Sequence, residues 1–304
     1  MARKFAKKVL AFAPESTYGT DAIDGGSPSY VLGREVSITP MAGESTALDY
    51  DDGKLGNSPE LPTEIYVTLE FGCDFSGSGT ANQPAPWAGL AEACLRTATV
   101  GSSPEQVSYA LDDNSTASNT FYFYMDGVLH ALVGARGSMS LSLVAKQFPQ
   151  MRYTFTGLFV KPKAGANPAA SFSDWQTPLK VGAEYTSASL AGNSVKLISL
   201  EYDQANQVSY EEYIGHEEVM ISDYQPSGTL VLEAGSLGSF DPFAKAETGE
   251  TVAFSLTHGI AGNQVQWSTD KLQLGRPTYG DQNGTLTYSI PVRPIGDGDQ
   301  IITA

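Results

Sequence analysis

The chain has 304 residues, 41% hydrophobic and 17% charged, with 18 basic against 34 acidic side chains and a net charge of −16. That length suits two domains at roughly 150 residues each, and the apolar share excludes a disordered chain. The acidic excess repels phosphate backbones, which excludes a sequence-reading nucleic-acid binder.

The acidity is spread evenly. Residues 1–150 and 151–304 each hold 9 basic and 17 acidic residues, so no acidic tail accounts for it. No apolar run approaches the ~18 residues of a membrane span. The apolar stretch Val9–Ala13 falls short of the ~7–15 residues of a signal-peptide core, so the start reads as mature protein made in the cytoplasm. Cys73 and Cys94 read as free thiols rather than a disulfide framework.

In chain order, residues 1–30 hold Gly19, Gly25, Gly26 and Pro28 and read as an N-terminal arm. Its basic cluster, Arg3, Lys4, Lys7 and Lys8, is a candidate for docking onto an acidic neighbouring subunit. Ile65–Phe71 alternates apolar and polar residues as a strand does. Ala85–Thr97 predicts a helix, because Trp87, Leu90, Ala91, Cys94 and Leu95 recur at helical spacing. Trp87, Leu90, Cys94 and Leu95 are its candidate core side chains. Asp126-Gly127 after Phe121–Tyr124 predicts a tight hairpin with positive φ at both turn positions. Met139–Leu143, Tyr153–Phe155 and Leu230–Leu232 alternate again. Lys161–Ser173, rich in Pro, Ala and Gly, reads as a linker. Asp241–Gly249 predicts a second, shorter helix with an Asp cap, Pro at its first position and Gly past its end. The fold class is therefore all-β with a minor helical share.

The chain also reads as one unit written twice. Val36–Ile38 aligns with Val195–Leu197, Leu48–Asp52 with Val208–Glu212, and Ile65–Glu70 with Ser227–Glu233. The helix around Trp87 aligns with Asp241–Gly249, and the hairpin Tyr122–Gly127 with Phe254–Gly259. Met139–Leu143 aligns with Asp270–Leu274, and Met151–Gly157 with Gly284–Ile290. Seven matches occur in one order.

Catalytic patterns are weak. His130, His216 and His258 lack ligand spacing, and His258 reads as a turn residue. No nucleophile elbow or phosphate-cradling loop occurs. The adjacent acids Asp51/Asp52, Glu211/Glu212 and Glu217/Glu218 would point to opposite faces of a strand, which does not suit glycoside hydrolysis. Asp49, Asp51 and Asp52, or Asp297 and Asp299, do not follow a calcium-loop pattern and read as solvated turns. No catalytic residue, metal or cofactor is expected. A carbohydrate-binding β-sandwich is a rival reading, with Tyr202, Tyr210 and Tyr213 as exposed aromatics.

Pro14–Asp21, Gly33–Pro40, the loop Leu48–Pro62, Glu70–Phe75 and the helix start Pro86–Leu90 resemble the tail tube proteins of long-tailed bacteriophages. The resemblance implies two tandem β-sandwich or half-barrel domains, each flanked by one helix. They would follow an arm at 1–30 and occupy 31–160 and 181–304, with a linker at 161–180. It implies a structural virion protein of the tail, assembled in the host cytoplasm, whose rings stack into a hollow tube for DNA ejection. The two domains per chain point to a trimeric ring with pseudo-sixfold symmetry. The expected partners are further copies of the chain and other tail proteins: tape measure, tail terminator and distal tail. DNA would pass without specific binding, and no membrane is involved. The long loops would reach the next ring, through Asp49, Tyr50, Asp51, Asp52 and Lys54 in the first domain and Tyr210, Glu211 and Glu212 in the second. A distal tail or tail-completion protein is the nearest alternative.

Overall fold

The computed structural model describes residues 3–51, 53, 55–238 and 240–304. The first half of the chain gives β1 (Lys8–Pro14), β2 (Ser29–Val31), β3 (Arg34–Ala42), β4 (Ser45–Ala47), β5 (Glu60–Pro62) and β6 (Tyr66–Asp74). The helix α1 (Ala88–Glu92) follows, then β7 (Arg96–Ser102), β8 (Glu105–Leu111), β9 (Asn119–Met125), β10 (Val128–Val144) and β11 (Gln150–Ala164). The second half gives β12 (Thr186–Leu190), β13 (Asn193–Ser194), β14 (Leu197–Asp203), β15 (Asn206–Tyr213), β16 (His216–Tyr224) and β17 (Ser227–Glu233). After it come α2 (Pro242–Thr248), β18 (Thr251–Ile260), β19 (Asn263–Leu274), β20 (Thr278–Gln282), β21 (Thr285–Pro294) and β22 (Asp299–Thr303). The fold is β-rich with two short helices among the described residues, as the composition and alternation require.

All pairings are antiparallel, and the two halves pair in the same order. In the first half the strands run β2-β1-β9-β10-β11-β6-β3. In the second they run β13-β12-β18-β19-β21-β17-β14. In each half a helix follows the sixth strand of this order, and a separate two-stranded hairpin, β4–β5 or β15–β16, springs from the last. The halves fuse into one sheet where the far end of β10 takes β14 as a neighbour and where β22 lies between β19 and β8. Among the described residues no pairing closes this array into a circuit: β2, β3, β7, β13 and β20 each have a partner on one side only.

Period-two patterning places the core. Val67, Leu69, Phe71 and Cys73 of β6 and Met139, Leu141 and Leu143 of β10 are buried, because alternate residues share a face. Phe71 stacks on Tyr153 at 5.5 Å and Phe121 packs on Phe155 at 4.7 Å, while Trp267 fills the second half between Tyr202 and Phe254 at 4.8 and 5.5 Å. One apolar cluster runs through both halves.

Several expectations need correction. Residues 8–14 do not form part of a free arm: β1 lies between β2 and β9, and Leu10, Ala11 and Phe12 are buried. The helix predicted over Ala85–Thr97 shrinks to α1, because Leu95 takes a left-handed φ of 66° and Arg96 and Thr97 enter β7. Trp87, Leu90 and Cys94 are nonetheless fully buried and Leu95 nearly so. Trp87 Nε1 donates to the Ser76 carbonyl at 2.8 Å. The linker region is tied down by Trp175, whose Nε1 donates to the Tyr30 carbonyl at 2.9 Å.

Local chemistry sets the turns. Asp126 and Gly127 both have positive φ, 42° and 94°, as the hairpin between β9 and β10 demands. The second-half hairpin turns later than expected, at Ala261-Gly262, with φ 80° at Gly262. Asp241 caps α2 by accepting from the Phe243 and Ala244 amides, and Gly249 closes it in the left-handed region. Asp241→Ala should lower stability by about 1 kcal/mol, read by denaturant unfolding, with the rest of the fold retained.

Candidate assembly surfaces and the junction between the halves

Both separate hairpins project from the sheet at equivalent places. Between β4 and β5 lie Asp49, Tyr50 and Asp51. Tyr50 is 66% exposed and Leu55, further along the same loop, is fully exposed. Asp52 and Lys54 lie outside the described residues. At the β15–β16 tip, Tyr213 is 61% exposed and Ile214 fully exposed.

The β15–β16 hairpin is also strongly acidic. Glu211 faces Glu218 and Glu212 faces Glu217 across the strands, and directly opposed like charges destabilise a strand pair. The Tyr210 hydroxyl donates to Glu212 and Glu217, both at 3.1 Å. Burial, then these hydrogen bonds, push its pKa up. The Tyr213 hydroxyl donates to Glu211 at 3.2 Å. This hairpin folds back over the first half. Arg136 donates to the Val219 carbonyl at 2.8 Å, the Val219 amide donates to the Tyr18 hydroxyl at 2.5 Å, and Tyr66 stacks on Tyr210 at 5.5 Å.

Part of the basic cluster is engaged within the chain. The Lys4 amide donates to Asp126 Oδ2 at 2.5 Å, Lys7 Nζ lies 3.8 Å from Asp126 Oδ1, and Lys8 Nζ donates to the Val36 carbonyl at 2.8 Å. Arg3 is exposed.

The polar group that sequence reading misses sits under the junction of the halves. Arg96 of β7 and Asp299 of β22 form an ion pair of 2.6 Å with both side chains fully buried. Arg96 also donates to Gln204 Oε1 at 2.8 Å, to the Tyr202 hydroxyl at 2.9 Å and to the Tyr109 carbonyl at 3.3 Å. The Tyr202 hydroxyl and Trp267 Nε1 donate to the same Asp299 oxygen at 2.7 and 3.2 Å. Asn206 Nδ2 donates to the Gly137 carbonyl at 2.9 Å. Burial pulls the Arg96 pKa down, but the Asp299 carboxylate and the Tyr202 oxygen outweigh it and raise it overall. Asp299 is therefore not a solvated turn residue. Nor is Tyr202 an exposed aromatic, being 2% accessible.

His258 is not a turn residue either. It lies buried in β18, with Nδ1 2.8 Å from Thr186 Oγ1 and Nε2 3.2 Å from the Leu179 carbonyl. Burial lowers its pKa, and that of His130. Burial also pushes the Cys73 and Cys94 thiols far up, so neither is a poised nucleophile. Among the described residues no three His, Cys, Asp or Glu side chains are placed to hold a metal, and no helix is long and apolar enough to cross a membrane.

Removing one member of a buried ion pair strands the other charge. Arg96→Met should thus cost about 3–5 kcal/mol in denaturant unfolding, and Arg96→Met with Asp299→Leu should recover much of the loss. The histidines set a pH dependence. The unfolded chain takes up protons as pH falls below about 6.5, whereas buried His258 resists them. Stability is then complete above that pH and falls below it. The melting temperature should drop on acidification from pH 7 to 5, less steeply in His258→Gln.

No curated protein matches the chain. The family model described as phage tail tube protein matches residues 6–301, which takes in both halves and the junction. The chain belongs to the phage tail tube protein family, and is a structural, self-assembling component of a phage tail.

Proposed function

We propose that the chain forms trimeric rings of pseudo-sixfold symmetry that stack into the hollow tube through which phage DNA passes. The observation that carries this reading is the shared pairing order of the two halves, together with an array that stays open in the single chain. Each half is one copy of a tube domain, with β1 and β2 joined to the first. Three chains then supply six similar positions, and closed cyclic symmetry is the rule for soluble homo-oligomers. Unpaired strand edges are templates for pairing, and a closed ring satisfies them.

The two hairpins supply the contacts between rings: Asp49, Tyr50, Asp51, Asp52 and Lys54 from the first, Tyr210, Glu211 and Glu212 from the second. Arg3, Lys4, Lys7 and Lys8 meet acidic surface of a neighbouring subunit. A net charge of −16 keeps the channel wall from binding phosphates. The tape measure, terminator and distal tail proteins are the partners at the tube's ends and interior. The role is structural rather than enzymatic.

Electron microscopy of the purified protein tests this. Tubes of uniform width, with threefold true and sixfold apparent symmetry in cross-section, are the expected outcome. Isolated rings that never lengthen would indicate a distal tail or completion protein. Hexameric rings of the whole chain would overturn the stoichiometry, and a stable monomer would overturn the function.

A further inference from the structure

The seam between the halves inside one chain is a template for the seam between chains. We propose that β20 of one subunit pairs antiparallel with β3 of the next, with Tyr279 opposite Ile38 and Thr278 opposite Thr39. This deepens the ring reading above and rests on it.

The equivalence of the two halves is fixed by a shared irregularity. In the β9–β10 pair, Phe121↔Leu132 gives way to Asn119↔Ala135 across a bulge. In the β18–β19 pair, Phe254↔Thr269 gives way to Val252↔Leu272 across the same bulge. Bulges are positional features of a sheet, not noise, so Ala135 corresponds to Leu272 and Gly137 to Leu274. Cross-strand partners carry the correspondence onward. Gly137 faces Phe155 and Leu274 faces Val292. Phe155 faces Leu69 and Val292 faces Gly228. Leu69 faces Ile38 and Gly228 faces Tyr202. Ile38 of β3 thus corresponds to Tyr202 of β14, and Thr39 to Asp203, five residues later than the sequence alignment of Ile38 with Leu197.

The same steps run toward the other end of the long strand. Arg152, three residues before Phe155, corresponds to Ser289, three before Val292. Arg152 faces Ser140 and Ser289 faces Thr278. The far end of β10, Ser140 and Leu141, therefore corresponds to Thr278 and Tyr279 of β20. In the first half that end is not bare: Ser140↔Asp203 and Leu141↔Tyr202 pair it with β14. Among the described residues its counterpart β20 has β21 on one side and nothing on the other, and β3, the counterpart of β14, has β6 alone.

Burial points the same way. Leu141 and Tyr202 are 1% and 2% exposed, whereas Tyr279 is 63% exposed at a place where the other half buries a core residue. Ile38 is only partly buried. A second copy of β3 laid on β20 brings these two apolar side chains together as Leu141 and Tyr202 already are. The charges also match. One step beyond Gly280, Asp281 comes beside Val36, whose carbonyl holds the Lys8 ammonium at 2.8 Å. The occupant of each edge is thus the other edge on a second copy of this chain.

Cysteine pairs on the assembled protein test the register. Cys73 and Cys94 are fully buried and do not compete. Ile38→Cys/Tyr279→Cys and Thr39→Cys/Thr278→Cys should each convert most of the monomer band to covalent multimers on mild oxidation. Ile38→Cys/Thr278→Cys, whose side chains fall on opposite faces, should stay monomeric on a denaturing gel. Thermal unfolding before oxidation checks that each variant is folded. Tyr279→Asp, which loses ring contacts to Phe243 and Tyr288 at 5.7 Å, should lower monomer stability only slightly and abolish rings. Tubes that form without in-register cross-links, or with equal cross-linking in the control, overturn the seam and leave the ring reading standing. Rings formed normally by Tyr279→Asp overturn the seam likewise. A wild-type chain that forms neither rings nor tubes overturns both.

Discussion

The ion pair between Arg96 and Asp299 is the constraint on which the rest of the molecule depends. The two residues stand 203 positions apart, one in the first half and one in the last strand. Burying a guanidinium costs several kcal/mol unless its donors are met, and the groups that meet them here come from three separate parts of the chain: Tyr109 of β8, Tyr202 and Gln204 at the end of β14, and Asp299 of β22. The site is complete only when β22 lies between β19 and β8. Neither half can then reach its final packing without the other, although each repeats the same strand order. A buried charge of this kind contributes little net stability compared with apolar replacement. What it does is admit one arrangement, because any slip of β22 strands the Arg96 charge.

That constraint explains which edges stay open. β7, β8 and β22 have no counterparts in the shared order of the halves; β22 and β8 bridge the junction, and β7 adds a further one-sided edge. The edge strands β2 and β13 are three and two residues long, too short to template pairing. β3 and β20, nine and five residues long, are a different matter. Lys8 places an ammonium on a β3 carbonyl, the sort of charged cover that discourages indiscriminate edge pairing. A partner bringing its own carboxylate meets that charge, while an unrelated strand does not.

Much of this was legible in the residues. Alternation in Ile65–Phe71 and Met139–Leu143, the Asp126-Gly127 turn and the Asp241–Gly249 helix signals all act locally, so local sequence carries them. The misses are of another kind. The stripe from Trp87 to Leu95 has helical spacing, yet it is buried on all sides, and tertiary packing rather than propensity sets where α1 stops. β1 was obscured because Gly and Pro around it signal an arm, while its burial depends on β9, more than a hundred residues on. Arg96, Asp299, Tyr202 and His258 were unreadable for one reason. Charged and polar residues are presumed exposed, and only partners distant in sequence make their burial tolerable. The hairpin after β18 shifted because Gly259 looked like the turn, whereas a Cβ there would come within 2.1 Å of the Asn263 carbonyl and Gly262 supplies the turn instead.

Writing the domain twice in one chain frees its two seams to differ. Six identical subunits would have six identical seams, each a compromise between strength and reversible assembly. Here the seam within the chain is fastened by a buried ion pair, a third strand and a hairpin folded back through Arg136 and Tyr210. None of these has a counterpart at the β20 end, where five exposed residues and a single tyrosine await a neighbour. A chain built this way folds first and associates second, since the strong seam forms at no concentration cost and the weaker one needs a partner. The opposed glutamates of the β15–β16 hairpin fit that order. They weaken a free hairpin, and docking on the first half through Arg136 and Tyr66 holds it in place.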